Sequence, residues 1–280
     1  MPSNNQIGNQ LEREAAQISK RHSGMIAFPT IGLALLIFCL YIFVLFMFAS
    51  GYLGPLISTL LLGILTFASY TPLHEAVHGN VGASNRKYKW LDYVVGLLMS
   101  PLISIPFNSH KKEHLAHHAH TNSDEDPDVH LQNMFESVKD CYRETLRAIK
   151  TQNTFVMDNF TRTEIAVTIG WRLLFVLSTG VGSVPVLFFG WFSGAFLTTF
   201  LFSYLPHQPF KDAARWKNTN IQLFSVRWFE NLMFKQNLHA VHHLFPRVPF
   251  YNYRKVFDKL EPTMRKKETP IIDIINRRPI

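Results

Sequence analysis

Four stretches of the chain approach the ~20 apolar residues that a helix needs to cross a ~30 Å hydrocarbon core. They run from about Ala27 to Phe48, Tyr52 to Tyr70, Ile165 to Thr179 and Val184 to Tyr204. Ala49-Ser50-Gly51 links the first two and Gly180-Val181-Gly182-Ser183 the last two, which predicts two antiparallel hairpins. Neither turn holds a Lys or Arg, whereas the N-terminal segment, residues 82–164 and residues 207–280 hold nearly all of them. The positive-inside bias therefore predicts that both termini and the 82–164 segment are cytoplasmic. A fifth apolar stretch, Tyr93–Phe107, is short and contains Pro101 and Pro106, which predicts an interfacial or re-entrant helix. The expected fold class is an all-α membrane protein: four transmembrane helices in two hairpins beneath a cytoplasmic helical cap, as a single domain over 1–280. An inner or plasma membrane is the expected location.

Composition agrees with this pattern. Apolar residues make up 47% of the chain and Phe alone counts 24, against 17% charged residues. A net charge of +8 suits nucleic acid, an anionic membrane surface or an acidic protein. The long apolar runs weigh against nucleic acid, and none is expected as a partner. Cys39 and Cys141 are the only cysteines, so neither a disulfide framework nor a Cys-built zinc or iron–sulfur site is available, and any electrons must come from outside. The first 24 residues are polar and lack a short apolar core, so no cleavable secretory signal is expected. Arg172 falls inside the third stretch, where an ionisable group is costly, and a structural pairing is favoured over contact with substrate.

Eleven of the thirteen histidines fall in four short places on the expected cytoplasmic side; His22 and His130 lie outside them. His74 and His78 follow the second stretch at a spacing that puts both imidazoles on one helix face. His114, His117 and His118 form an H-x-x-H-H pattern flanked by His110 and His120, and His239, His242 and His243 repeat it. His207, directly after the fourth stretch, is the candidate ninth ligand. A lone histidine is more often a surface or packing residue, but three clusters on one side point to metal. Eight or nine imidazoles exceed the needs of one four-coordinate ion, which favours two metals with four or five ligands each. His110 and His120 are expected to support the ligands by hydrogen bonding.

Glu75 makes the first group read H-E-x-x-H, the pattern of zinc proteases in which the Glu is a general base. That reading leaves the other clusters without a use, and Glu75 is expected instead to accept a hydrogen bond behind the ligands or to be a carboxylate on the helix face. A metal carrier is a third class, but carrier sites sit near the bilayer midplane on broken helices, whereas these histidines lie beyond the ends of the spans. Asp124-Glu125-Asp126-Pro127-Asp128 lacks the glycine and terminal glutamate of a calcium loop and reads as a solvated turn with helix-capping carboxylates.

Three segments together resemble the membrane fatty acid desaturase superfamily, which includes carotenoid hydroxylases and ketolases and alkane hydroxylases. They are His74 to His78; His114-Leu-Ala-His117-His118 continuing through His120-Thr121-Asn122 to Asp126-Pro127-Asp128; and Asn237-Leu-His239-Ala-Val-His242-His243-Leu-Phe-Pro246 with Val248-Pro249-Phe250-Tyr251. The resemblance implies two non-haem iron ions on His74, His78, His114, His117, His118, His239, His242 and His243, with His207 a less secure addition and Asn237 a supporting residue. It also implies O2-dependent attack on a C–H bond of a membrane lipid or acyl chain. Fatty acyl desaturation is placed ahead of carotenoid hydroxylation or ketolation, with electrons from an external donor such as ferredoxin and its reductase.

Overall fold

The computed structural model describes residues 4–83, 85–155, 157–274 and 278–279. Its helices are α1 (Asn4–Arg21), α2 (Phe28–Ala49), α3 (Pro55–Val77), α4 (Trp90–Ile103), α5 (Phe107–His120), α6 (Leu131–Met134), α7 (Val138–Phe155), α8 (Asn159–Thr179), α9 (Ser183–Thr198), α10 (Phe229–Leu232), α11 (His239–Leu244) and α12 (Tyr253–Lys266). A small sheet joins β1 (Ile221–Leu223), β2 (Ile271–Asp273) and β3 (Arg278–Pro279); β1 and β2 run parallel, with Ile221 opposite Ile271.

Among the described residues three helices are long and apolar enough to cross a membrane: Phe28–Ala49, Pro55–Val77 and the continuous run Ser183–His207. The fourth expected span corresponds to α8, whose every 18-residue window contains Arg162, Glu164 and Arg172 and so is too charged to join them. Instead, α4 and α5 form a pair bent by 98° that passes the same test when taken together.

The first hairpin starts both of its helices with proline in the first turn, where a missing N–H costs nothing. One face of α2, carrying Ala34, Ile37, Tyr41 and Val44, packs inward, while Leu36, Phe43 and Phe46 stay exposed as a lipid-facing surface. Leu56, Leu60 and Ile64 do the same on α3, but from Ala68 to Val77 every residue of that helix is buried. The helix thus leaves the lipid and continues into a protein cap. Its expected end near Tyr70 is corrected to Val77, and the first histidine pair rides on its last turn with His78 as C-cap. The surrounding cap supplies the enclosure that hydrocarbon provides earlier in the helix, so polar residues continue it.

α3 packs on α9 through small residues. A Cβ on Gly194 would stand 2.6 Å from the Gly63 carbonyl oxygen and 2.6 Å from Thr66 Cβ. Gly190 and Gly194 form the small-x-x-x-small stripe that lets membrane helices approach closely. Past Thr198 the helix widens into a π-helical turn over Thr199–Tyr204, then tightens over Leu205–His207, which aims His207 at the cap.

The stretch 93–107, expected as an interfacial or re-entrant helix, is the body of α4 and the bend that follows it. Ser104 takes a left-handed conformation (φ 65°) that ends α4, and α5 starts at Phe107. The charges of α8 hold this bend. Arg172 Nη2 donates to the carbonyls of Pro101 (3.2 Å) and Leu102 (3.5 Å), and Trp191 Nε1 donates to that of Ile103 (2.8 Å), so the orphan carbonyls of α4 are capped. Glu164 accepts from the backbone N–H of Phe107 (2.7 Å) and Asn108 (3.1 Å), which places an anion at the N-terminus of α5. Replacing Arg172 with Leu leaves buried carbonyls unpaired, an expected loss of about 1–3 kcal/mol. A lower thermal unfolding midpoint in detergent, partly restored by Arg172→Lys, checks this; an unchanged midpoint contradicts it.

Candidate metal centre

Four elements deliver nine imidazoles to one place: His74 and His78 from the end of α3, His114, His117 and His118 from α5, His207 from the end of the long helix, and His239, His242 and His243 from α11. α11 is only six residues long and gains its position from asparagines. Asn220 accepts through its carbonyl from Ala240 N–H (3.2 Å) and donates through Nδ2 to the Leu205 carbonyl (3.0 Å), tying α11 to the turn that carries His207. Asn237, wholly buried, donates to the Gln222 carbonyl in β1 (2.7 Å).

The imidazoles sort into two groups. In the first, the ring nitrogens of His74, His78, His114, His118 and His242 all lie within 4.8 Å of one another. In the second, those of His117, His207 and His243 meet the same limit, and His239 Nε2 lies 3.2 Å from His207 Nε2 and 3.1 Å from His243 Nε2. The groups abut, with the His118 and His243 rings stacked at 4.2 Å. His114 Nε2 is near three others: His74 (2.9 Å), His78 (3.0 Å) and His118 (3.1 Å). A neutral imidazole carries one N–H, so such a nitrogen cannot satisfy three neighbours by hydrogen bonding. Convergent lone pairs of this kind suit a cation. Burial, followed by the nearby His117, pulls His239 down to about 3, and burial with neighbouring imidazoles holds His242 and His243 well below the usual histidine range. These three are therefore neutral at neutral pH, the form that binds metal.

Groups behind the imidazoles orient them. Asp126 Oδ1 lies 2.8 Å from His117 Nδ1, and Tyr253 Oη lies 3.0 Å from His242 Nδ1; both residues are buried. The expectation of a solvated turn at 124–128 is corrected at Asp126, which also accepts from the backbone N–H of Asn122 (2.8 Å) and Asp128 (2.9 Å) and so combines capping with a histidine contact. The Asp-Pro-Asp spacing carries no periodicity that would have placed it against His117. Tyr253, eleven residues beyond His242, was equally invisible. His120 instead faces outward and pairs with Glu125 at 3.0 Å. The His110 ring makes tilted contacts with Tyr70 (5.7 Å) and His114 (5.4 Å), with its Nε2 buried and unpartnered. Glu75 touches no histidine by hydrogen bond: its oxygens accept from Phe250 N–H (3.2 Å) and Asn80 Nδ2 (3.4 Å), which bind the end of α3 to the segment after α11.

Three spaces adjoin the cluster in series. A cavity of about 130 Å3 touches His114, His117, His207 and His239. It shares Ile105, His110 and Glu113 with a second of about 190 Å3, which shares Ser104, Pro106 and Ile165 with a groove of about 570 Å3 between α8 and α9. Ile169, Leu173, Val184 and Phe188 line that groove and are exposed on the apolar outer surface.

An apolar helical frame thus holds a buried histidine cluster able to bind metal, beside a path open to the apolar outer surface. Residues 50–274 match the family described as fatty acid desaturase, and the chain belongs to that family. It is 26% identical over 236 residues to the sn-1 oleoyl-lipid 12-desaturase of Anabaena variabilis, covering 71% of this chain and 67% of the relative. It is 28% identical to the enzyme of the same name from Synechocystis sp., covering 76% and 72%. A fatty acid conjugase of Calendula officinalis is 24% identical, covering 68% and 63%. The chain spans about two thirds of the first two relatives and 25% of a chloroplastic omega-6 fatty acid desaturase of Brassica napus.

Removing a carboxylate that orients a metal-binding imidazole typically costs 10–100-fold in metal affinity. Asp126→Ala is expected to lose metal over that range in a chelator competition, with Tyr253→Phe losing less because its ring packing remains. Wild-type affinity in Asp126→Ala contradicts the orienting role.

Proposed function

We propose that the chain is an O2-dependent di-iron oxidase of lipid chains, and specifically a fatty acyl desaturase that introduces a C=C bond. The observation that carries this reading is the pairing of five and four convergent imidazoles with a path that opens as an apolar groove on the outer surface and leads to them. One iron is held by His74, His78, His114, His118 and His242, and the other by His117, His207, His239 and His243. Imidazole suits iron among several metals, and the family membership favours iron.

When bound, the iron pair supplies the dioxygen chemistry that removes hydrogen from an unactivated C–H bond. Conversion of two adjacent CH2 groups to CH=CH with O2 consumes two external electrons and two protons and yields two waters. A ferredoxin and its reductase would supply the electrons, since the chain's own cysteines build no electron carrier. The protein's residues bind and orient. The groove between α8 and α9 takes the chain, and Tyr70, Ile105, Leu131 and Phe202 line the inner cavity so that a chain lies against the imidazoles with water displaced. The cap and both termini are assigned to the cytoplasmic side, within a single membrane domain. Glu75, with both oxygens engaged away from the histidines, has no place as a protease general base.

Mass spectrometry of lipids and pigments tests the reading in a host that makes saturated acyl chains and carotene and carries a ferredoxin system. New double bonds in acyl chains are expected, and they should vanish in His242→Ala while the protein still inserts into membranes. Oxygenated carotenes with unchanged acyl chains would contradict the desaturase reading and move the protein to the carotenoid branch. Full activity in His242→Ala would overturn the ligand assignment.

A further inference from the structure

The inner path is not uniformly apolar. Glu113 is 6% exposed, and among the described residues no hydrogen bond or ion pair reaches its carboxyl. It lines both the cavity beside the histidine cluster and the one leading to it. His110, three residues earlier on the same face of α5, lines the same two cavities, and its Nε2 is buried without a partner. Ser104 Oγ, buried and unpartnered, lines the outer of these cavities. Elsewhere in the cap the buried carboxylates Glu75, Asp126 and Glu230 all have partners. Two polar groups that line the same cavities without a protein partner are costly against a bare hydrocarbon chain, and something polar in the cavity would satisfy them.

We infer that Glu113 and His110 form a hydroxyl-binding subsite beside the histidine cluster, one that favours a lipid chain carrying a hydroxyl group close to the carbon that reacts over the same chain without it. This rests on the lipid-chain reading above. A hydroxyl both donates and accepts, so it pairs with a carboxyl and an imidazole nitrogen together whichever of them holds the hydrogen. A ketone only accepts, and a methylene does neither. The apolar groove between α8 and α9 holds the rest of the chain, and the narrower polar section fixes its depth. A substrate of this kind comes from a preceding hydroxylation or hydration of the chain.

Binding without turnover tests this. The purified full-length protein, kept anaerobic in detergent micelles, is titrated with octadecanol, a methyl ketone of the same length and octadecane at matched mole fraction, each displacing a fluorescent fatty-chain probe. The alcohol is expected to compete roughly five- to tenfold better than the alkane, as one net buried hydrogen bond implies, with the ketone between them. Glu113→Leu should erase the difference, and Glu113→Gln should keep part of it; thermal unfolding of each variant verifies that it is folded. Equal competition by all three ligands overturns the subsite, as does a preference that survives in folded Glu113→Leu, the result expected if ordered water alone satisfies the two groups. Failure of every ligand to displace the probe, the alkane included, overturns the lipid-chain reading along with it.

Discussion

Nine imidazoles converge on a volume where their inward nitrogens meet mainly one another, and the arrangement of the helices follows from that constraint. Neutral histidine nitrogens about 3 Å apart around His114 Nε2 cannot all be satisfied by one another's hydrogen bonds, and a cation among them would use their lone pairs. Keeping them there requires four chain segments to end at one point. α3 does so by running past the lipid into the cap, the long helix Ser183–His207 by a π-helical turn that re-aims its end, α5 by the bend at Ser104, and α11 by the asparagine braces at Asn220 and Asn237.

Polar groups that look misplaced in an apolar chain are the fastenings of this arrangement. Arg172 and Trp191 close the carbonyl end of α4, and Glu164 closes the amide end of α5, so the bend between them leaves few backbone groups unpaired. Glu75 binds α3 to the segment that follows α11. Each is a buried polar group with a partner from a distant part of the sequence, which makes the geometry specific as well as stable. Glu113 and His110 differ from these fastenings in lining the cavities beside the histidine cluster, where no protein hydrogen bond reaches the Glu113 carboxyl or His110 Nε2 among the described residues.

The hydrophobic pattern exposed the first hairpin and the last span well, because lipid-facing helices need apolar residues around their whole circumference. It misled where protein replaces lipid: α3 runs on to Val77 once the cap encloses it, and α8 keeps a helical pattern while carrying charges that serve the bend. The histidines of the three spaced groups were legible, since their i, i+3 and i+4 spacing is local, whereas His207 stands alone in sequence and His120 turns outward. Two sets of four or five were expected, but which histidine joins which set was not legible, because His118 and His117 are adjacent in sequence yet belong to different groups. Asp126, Tyr253, Asn220 and the small sheet depend on contacts across the fold, and no local spacing announces them.

The division into two metal positions is the central claim, and metal content per chain tests it most directly. Plasma mass spectrometry on anaerobically purified protein should find about two irons per chain, falling to about one when His207 and His243 are both replaced by Ala, since the five-histidine group remains intact. About one metal per chain in the wild type, or about two retained in the double variant, would contradict the account.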